Sequence, residues 1–114
     1  MVKTTKGILN NRKKTTNNKF EKWVINDCLS QGKNEEIESY IFQVRQYGCV
    51  SGIVTSLIYY IDTDKIFKKY YTEILEILEN NKLYINFDKI TINTNNLVWI
   101  AYEIVIDSIY SWID

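Results

Sequence analysis

Two pairs of carboxylates have a spacing that could support chemistry. Asp62 and Asp64 flank a threonine at a predicted helix start, but no further oxygen ligands follow at the spacing of a calcium loop, so this pair is typical of a helix cap. Glu103 and Asp107 lie four residues apart on an apolar helix, where burial would raise their pKa and suit acid–base work. The same spacing is more often the solvent edge of such a helix, and we favour that interpretation.

The sequence lacks the other residues of common active sites. Histidine is absent, which removes the most frequent general base and metal ligand. Cys28 and Cys49 are the only cysteines, without C-x-x-C spacing or an imidazole to activate a thiolate. We therefore expect no catalytic residues, no metal site, no cofactor and no enzymatic activity, and we interpret both cysteines as buried free thiols.

Glutamates and tyrosines provide candidate contacts for a protein partner. Glutamates are concentrated on two predicted helices, where they would form acidic surface able to imitate a phosphate backbone. Tyrosines with apolar rings and polar tips make good interface anchors. The acidic set is Glu35, Glu36, Glu38, Glu73, Glu76 and Glu79, and the tyrosine set is Tyr47, Tyr59, Tyr60 and Tyr84.

Charge is segregated along a chain whose net charge is zero. Residues 1–23 contain seven basic residues and one acidic residue, so this segment is +6 and the remainder is −6. Such a basic segment can contact the chain's own acidic surface, an acidic partner or nucleic-acid phosphates. The basic set, which would serve the nucleic-acid alternative, is Lys6, Arg12, Lys13, Lys14, Lys19 and Lys22.

The 114 residues suffice for one domain, and their periodicity predicts helices. We expect residues 1–14 to be a basic N-terminal arm or short helix, and residues 15–114 to be a single helical domain. Apolar residues recur at helical spacing in four segments before the last helix. They are about 18–29, about 34–47 with Asn34 as its cap, about 49–61, and a fourth in which one long helix follows the cap at Asp62. Around residues 83–93, β-branched and aromatic residues alternate with polar ones, and this pattern predicts a β-hairpin and not a helix. The predicted fold class is mainly α, a compact bundle of about five helices with a short β-hairpin around residues 83–93.

The last predicted helix, about 95–114, is apolar around most of its circumference. Its polar positions form one narrow stripe, so the helix should be central to the core or part of a homodimer seam. No apolar run reaches the length of a membrane span, and we expect no contact with a membrane. The absence of an apolar N-terminal segment favours the cytosol.

Several of these stretches resemble a family of small uncharacterised domains carried by phages and conjugative elements of gut and anaerobic bacteria. They are TTNNKFEKWVINDCLSQG, then QYGCVSGIVTSLIYYIDTDKIFKKYY, then the Trp-containing last helix. The central pattern is G-C-[VI]-S-G-x-V-x-S-L-I-Y-Y-x-D-T, which residues 48–63 match. The resemblance implies a mobile-element accessory protein in the cytosol of a bacterial host, and no catalytic residue is carried over with it.

The function that these observations favour is non-enzymatic inhibition of a host defence complex, such as a CRISPR effector nuclease, as anti-CRISPR proteins do. The alternative is a small DNA- or RNA-binding regulator that uses the basic N-terminal arm. A third hypothesis is a protein that sequesters a small ligand. Only the first hypothesis uses the acidic and tyrosine sets together.

Overall fold

The computed structural model describes residues 4–47, 63–81 and 94–114, and all regular structure in these ranges is helical. Six helices are present in this part of the chain. They are α1 (Thr5–Thr15), α2 (Lys19–Leu29), α3 (Asn34–Tyr47), α4 (Thr63–Lys69), α5 (Tyr71–Asn80) and α6 (Thr94–Ile113). The mainly helical bundle is therefore confirmed, and of the two forms predicted for the first residues the structure contains the short helix.

The short connection between α1 and α2 is fixed by polar side chains. Asn18 is the N-cap of α2, where its Oδ1 accepts a hydrogen bond from the backbone N–H of Glu21 at 2.9 Å. Its Nδ2 donates to the backbone carbonyl of Glu73 on α5 at 3.1 Å. Thr16 Oγ1 accepts from the Asn18 N–H and donates to Glu21 Oε2, and both Thr16 and Asn18 are buried. This connection thus joins three helices.

The turn before α3 depends on a glycine and a glutamate. Gly32 has φ of 132°, a conformation that side chains rarely adopt. Glu36 Oε2 accepts from the backbone N–H of Lys33, which resembles half of a capping box. We expected Asn34 to cap α3, but it lies inside the helix and its Oδ1 accepts from the backbone N–H of Lys6. Asn34 therefore secures the start of α1.

The single long helix predicted after the cap at Asp62 is wrong, because α4 and α5 are separated at Tyr70. Tyr70 has φ of −116° and ψ of 27°, outside the helical region. Its ring packs against Phe20 and Trp23, with centroid distances of 5.9 and 6.3 Å. Hydrogen bonds from Tyr70 N–H to Ile66 O and from Ile74 N–H to Tyr70 O continue across the break. The helix is thus bent at the residue whose ring enters the α2 contact.

Helix α6 is the centre of the fold. It packs against each of the other five helices described. Seven of its side chains are buried to 4% exposure or less, because apolar residues occupy most positions of this helix. They are Leu97, Val98, Ala101, Tyr102, Val105, Ile106 and Ile109. Of the two positions predicted for this helix, the central one is therefore confirmed.

The inner stripes of α2 and α3 complete the core around α6. Phe20, Val24 and Cys28 are fully buried on α2, as their spacing predicts, whereas Trp23 is half-buried. On α3 the buried side chains are Ile37, Tyr40, Ile41 and Val44. Of the helices described, none combines the length and apolarity that crossing a membrane requires.

Some predictions concern residues outside the described ranges. The hairpin around residues 83–93 lies there, and no strand occurs in residues 4–47, 63–81 or 94–114. Cys49, the helix predicted over about 49–61 and all but the last residue of the central pattern of the resemblance also lie outside these ranges.

The role of Asn18 can be tested by substitution. Asn18→Ala removes both the α2 cap and the bond to α5, so we expect the free energy of unfolding to fall by about 1–3 kcal/mol. Asn17→Ala, at the exposed neighbouring position, should change it by less than about 0.5 kcal/mol. Urea unfolding followed by circular dichroism measures both. Asn18→Asp keeps the cap acceptor but not the donor, and equal stability of this variant and the wild type would contradict the contribution of the α5 bond.

Candidate functional site

An exposed phenylalanine marks the outer face of α3. Phe42 is 56% exposed, the highest value among the large hydrophobic side chains of the described residues. It lies opposite the buried stripe of α3, so no rearrangement within this helix would bury it. Isolated exposed apolar residues are common, but an aromatic ring on a well-packed helix is also a suitable anchor for a partner.

Polar side chains surround Phe42 at helical spacing. Glu38 and Ser39 precede it by four and three residues, Glu35 precedes it by seven, and Gln46 follows by four. All four are exposed and share its side of the helix. We call Phe42 and these four residues the α3 outer face.

A shallow groove of about 400 Å³ begins beside the α3 outer face. Its lining includes two carboxylates and one hydroxyl from α3, and it extends to a buried tyrosine ring. The lining residues are Gln31, Glu35, Glu36, Ser39 and Tyr40. An aromatic anchor next to an acidic groove is suited to a protein surface that presents basic side chains.

The acidic set does not form one surface. Glu35, Glu36 and Glu38 are on α3, whereas Glu73, Glu76 and Glu79 are on α5. Both α3 and α5 pack against α2 and α6, which lie between them in the bundle. Two of the α3 carboxylates also have structural roles, because Glu36 accepts from Lys33 N–H and Glu38 accepts from the Thr5 hydroxyl. The set is therefore two groups of three.

The tyrosine set falls almost wholly outside the described residues. Tyr59, Tyr60 and Tyr84 lie there, and for Tyr47 the structure describes the backbone at the end of α3 but not the side chain. The set remains a prediction.

The basic set is bound partly to the protein itself. Arg12 Nε lies 2.8 Å from Glu21 Oε1, and the Arg12 guanidinium lies 4.9 Å from the centroid of the Trp112 ring. Lys13 Nζ donates to Asn26 Oδ1 at 2.9 Å. The remaining side chains are exposed at Lys6, Lys14 and Lys19 and half-buried at Lys22. The segment of basic charge thus makes contacts with α2 and α6.

A second arginine is arranged in a similar way. Arg45 Nε lies 3.1 Å from Asp107 Oδ1, and its guanidinium lies 3.8 Å from the centroid of the Tyr110 ring. Asp107 is exposed and Glu103 is half-buried, as the favoured interpretation of this pair predicts. The Asp107 carboxylate is used in an ion pair between α3 and α6.

A chain of polar groups crosses the apolar core. The Tyr102 hydroxyl donates to Asp27 Oδ2 at 2.8 Å and is hydrogen-bonded to the Tyr40 hydroxyl. Because Tyr102 has one proton and gives it to Asp27, the bond between the two tyrosines requires Tyr40 as donor. This Asp27–Tyr102–Tyr40 chain, buried at both tyrosines and half-buried at Asp27, links α2, α6 and α3. Two tryptophans, Trp23 and Trp99, contact the Tyr102 ring edge-on at 6.1 and 5.5 Å between centroids.

Burial changes the titration of the groups in this region. It raises the pKa of Asp27, and the hydrogen bond from Tyr102 opposes that rise. It also raises the pKa of Tyr102, to which the neighbouring Tyr40 and Asp27 contribute. Burial, followed by the negative charge of Asp27, raises the pKa of the Cys28 thiol. Cys28 is therefore a protonated, buried and free thiol, as predicted, and thiols in this state are poor nucleophiles.

Among the residues described, no three histidine, cysteine, aspartate or glutamate side chains converge as metal ligands would. Comparison with known proteins places the chain in a family. A family model described as a domain of unknown function, DUF7222, matches residues 17–114. The chain belongs to the DUF7222 family. No curated protein and no solved structure matches it.

The DUF7222 match includes the α3 outer face and the whole chain of polar groups, and it begins after α1. Our sequence reasoning missed two features of this DUF7222 domain. Phe42 could have been found from its position opposite Ile37, Ile41 and Val44 on a helical projection. The pairing of Asp27 with Tyr102 had no such signal, because 75 residues separate them.

The raised pKa of Asp27 predicts a dependence of stability on pH. A group with a raised pKa in the folded state stabilises the fold below its unfolded pKa of about 3.9, and this contribution is lost as pH rises through the folded pKa. Asp27→Asn removes the titration, so its stability relative to wild type should improve as pH rises from about 4 to 7.

Tyr102→Phe should change the pH dependence of stability in the opposite direction to Asp27→Asn. It removes the bond that lowers the Asp27 pKa, so the loss of stability with rising pH should become steeper than in the wild type. Urea unfolding monitored by tryptophan fluorescence at several pH values gives the slopes. Parallel curves for wild type and Asp27→Asn would contradict the proposed titration.

Proposed function

We propose that this protein is a non-enzymatic binding protein that attaches to a basic surface of a host defence complex and blocks it. The specific defence complex that we propose is a CRISPR effector nuclease. The observation that carries the proposal is the exposure of Phe42 on a rigid helix, next to an acidic groove. The resemblance to domains of phages and conjugative elements supports the choice of a defence complex as partner.

The α3 outer face suits this role because it is held firmly from beneath. Four buried side chains fix α3 against the core, and the ion pair of Arg45 with Asp107 ties its C-terminal half to α6. A surface that is already ordered loses little conformational entropy on binding. Phe42 can therefore contribute most of the affinity, as single aromatic anchors do.

Charge supports a basic partner. Glu35, Glu36 and Glu38 lie within four residues, and two of them line the groove. A partner that binds nucleic acid presents lysine and arginine side chains at its phosphate sites. Carboxylates placed over those sites would both accelerate association and exclude nucleic acid.

The partner is identified first. We would express the tagged protein in a bacterial host, purify it with and without nuclease treatment of the lysate, and identify the co-purifying proteins by mass spectrometry and any co-purifying nucleic acid in the untreated sample. Binding is then measured by calorimetry with the purified partner, and inhibition is measured as loss of its nucleic-acid cleavage. Recovery of nucleic acid alone, or a bound protein whose activity is unchanged, would contradict the proposal.

Phe42→Ala should weaken the affinity for that partner at least tenfold, because it removes the anchor. Tyr71→Ala removes an aromatic side chain that is 45% exposed on α5 and should leave the affinity within about threefold. Equal effects of the two substitutions would show that the α3 outer face is not the contact.

The two groups of glutamates give a test with matched charge. Replacing Glu35, Glu36 and Glu38 by glutamine removes three charges from α3 but keeps acceptors for Lys33 N–H and Thr5. We expect it to slow association and to reduce its dependence on salt. The same replacement of Glu73, Glu76 and Glu79 removes three charges from α5 and should have a smaller effect. A larger effect of the α5 variant would place the contact elsewhere.

A further inference from the structure

Helix α1 differs from α2 in how it is attached. All four of its charged residues are basic, and Leu9 is its one fully buried apolar side chain. Helix α2 has the same length but buries four apolar side chains. Burial of apolar area contributes most of the free energy that holds a helix on a protein. Because α1 buries less of it than α2, α1 depends to a greater extent on polar contacts.

Those polar contacts are made to a defined set of acceptors. Near its N-terminus, α1 donates from Lys6 N–H to Asn34 Oδ1 and from Thr5 to Glu38. Near its C-terminus, Arg12 pairs with Glu21 and Lys13 donates to Asn26. The Lys6, Arg12 and Lys13 contacts are solvent-exposed, and contacts of this kind are weak and sensitive to salt.

The surface site that binds the Arg12 side chain has more than one component. Glu21 has a side chain only 13% exposed, and Trp112 supplies an aromatic face. Beside them is a cavity of about 150 Å³, whose lining also includes Asn81 and Ser108. A carboxylate with an adjacent aromatic ring is a site for a guanidinium group, so α1 places an arginine where a partner's arginine could equally bind.

The start of α2 is held by contacts that do not involve the α1 helix. Thr16 and Asn18 are buried, and Asn18 caps α2 and bonds α5 through its own side chain. Helix α2 would therefore keep its cap if α1 moved away. The DUF7222 match begins at residue 17, and it includes all the acceptors of α1 but not α1 itself.

We propose that α1 is an exchangeable strap, and that the surface beneath it is a docking site for a basic helix of a partner protein. This α1 site consists of Glu21, Asn26, Asn34, Glu38 and Trp112. The partner helix would present a leucine and an arginine three residues apart, as Leu9 and Arg12 do. The α1 site shares Glu38 with the α3 outer face but not Phe42, and the test of this proposal uses no unidentified partner.

The first test is native-state hydrogen exchange of the full chain, measured by NMR. The α1 amides should exchange faster than those of α2 and α6, and their exchange should accelerate between 0.05 and 0.5 M salt, which reduces the Debye length from about 14 to about 4 Å. Exchange of α1 at the same rate as α2 and α6 would overturn the proposal, because α1 would then open only with the whole fold.

A matched pair of substitutions isolates Arg12. Arg12→Gln and Lys14→Gln each remove one positive charge from α1, and Lys14 is exposed. Arg12→Gln should increase the opening of α1 about three- to tenfold without changing α2 or α6. Lys14→Gln should change it less than twofold. Equal effects of both would mean that Arg12 is not a specific attachment.

The docking site is tested with a fluorescein-labelled peptide of residues 4–16 and the full-length Arg12→Gln protein, whose strap is loosened. We expect saturable binding by fluorescence anisotropy, and binding at least threefold weaker when the peptide itself carries Arg12→Gln. A peptide with Lys14→Gln should bind as the unmodified peptide does. Absence of saturable binding, or equal binding of all three peptides, would overturn the proposal.

Discussion

The hydroxyl group of Tyr102 connects three helices at one point inside an apolar core. It donates to Asp27 on α2 and is bonded to Tyr40 on α3, while its own helix contacts every other helix described. A buried polar group without partners would be costly, so these three side chains restrict how the helices can be arranged around α6. Purely apolar contacts would permit small rotations and shifts, whereas hydrogen bonds, which depend on both distance and direction, restrict them. The Asp27–Tyr102–Tyr40 chain therefore selects one arrangement among several that would bury similar areas.

Charge separation gives the molecule a second kind of organisation. The basic N-terminal segment contacts acidic and amide side chains of α2 and α3, and an arginine on each of α1 and α3 stacks on an aromatic ring of α6. In both cases the arginine also forms an ion pair with a carboxylate. Such contacts retain solvent and depend on salt, unlike the core, so a helix that relies on them more than on buried apolar area, as α1 does and α3 does not, can exchange. Stable and exchangeable parts are thus built from different interactions.

The sequence predicts the helices whose apolar residues are periodic and whose ends have local signals. The boundaries of α2 and α3, and the buried positions Phe20, Val24, Ile37 and Ile41, follow from spacing and local end signals, although Asn34 is the first residue of α3 and not its cap. The break at Tyr70 was not predictable in this way, since it depends on rings supplied by α2. The acidic set could be named, but its division between α3 and α5 could not, because helix-to-helix placement is absent from any local pattern. The exposure of Phe42 could have been predicted from the same periodicity, because Phe42 lies opposite the buried stripe of α3.

The central position of α6 affects the order in which the protein can fold during synthesis. Domains generally form from the N-terminus as the ribosome extends the chain. Here the helix that all others contact is the last of those described, and its Tyr102 bonds residues 62 and 75 positions earlier. Helices α1 to α3 emerge first and can contact one another, but Asp27 and Tyr40 then lack Tyr102 and the core lacks its centre. The nascent chain must therefore remain loosely assembled, with apolar surface accessible to chaperones, until α6 leaves the ribosome.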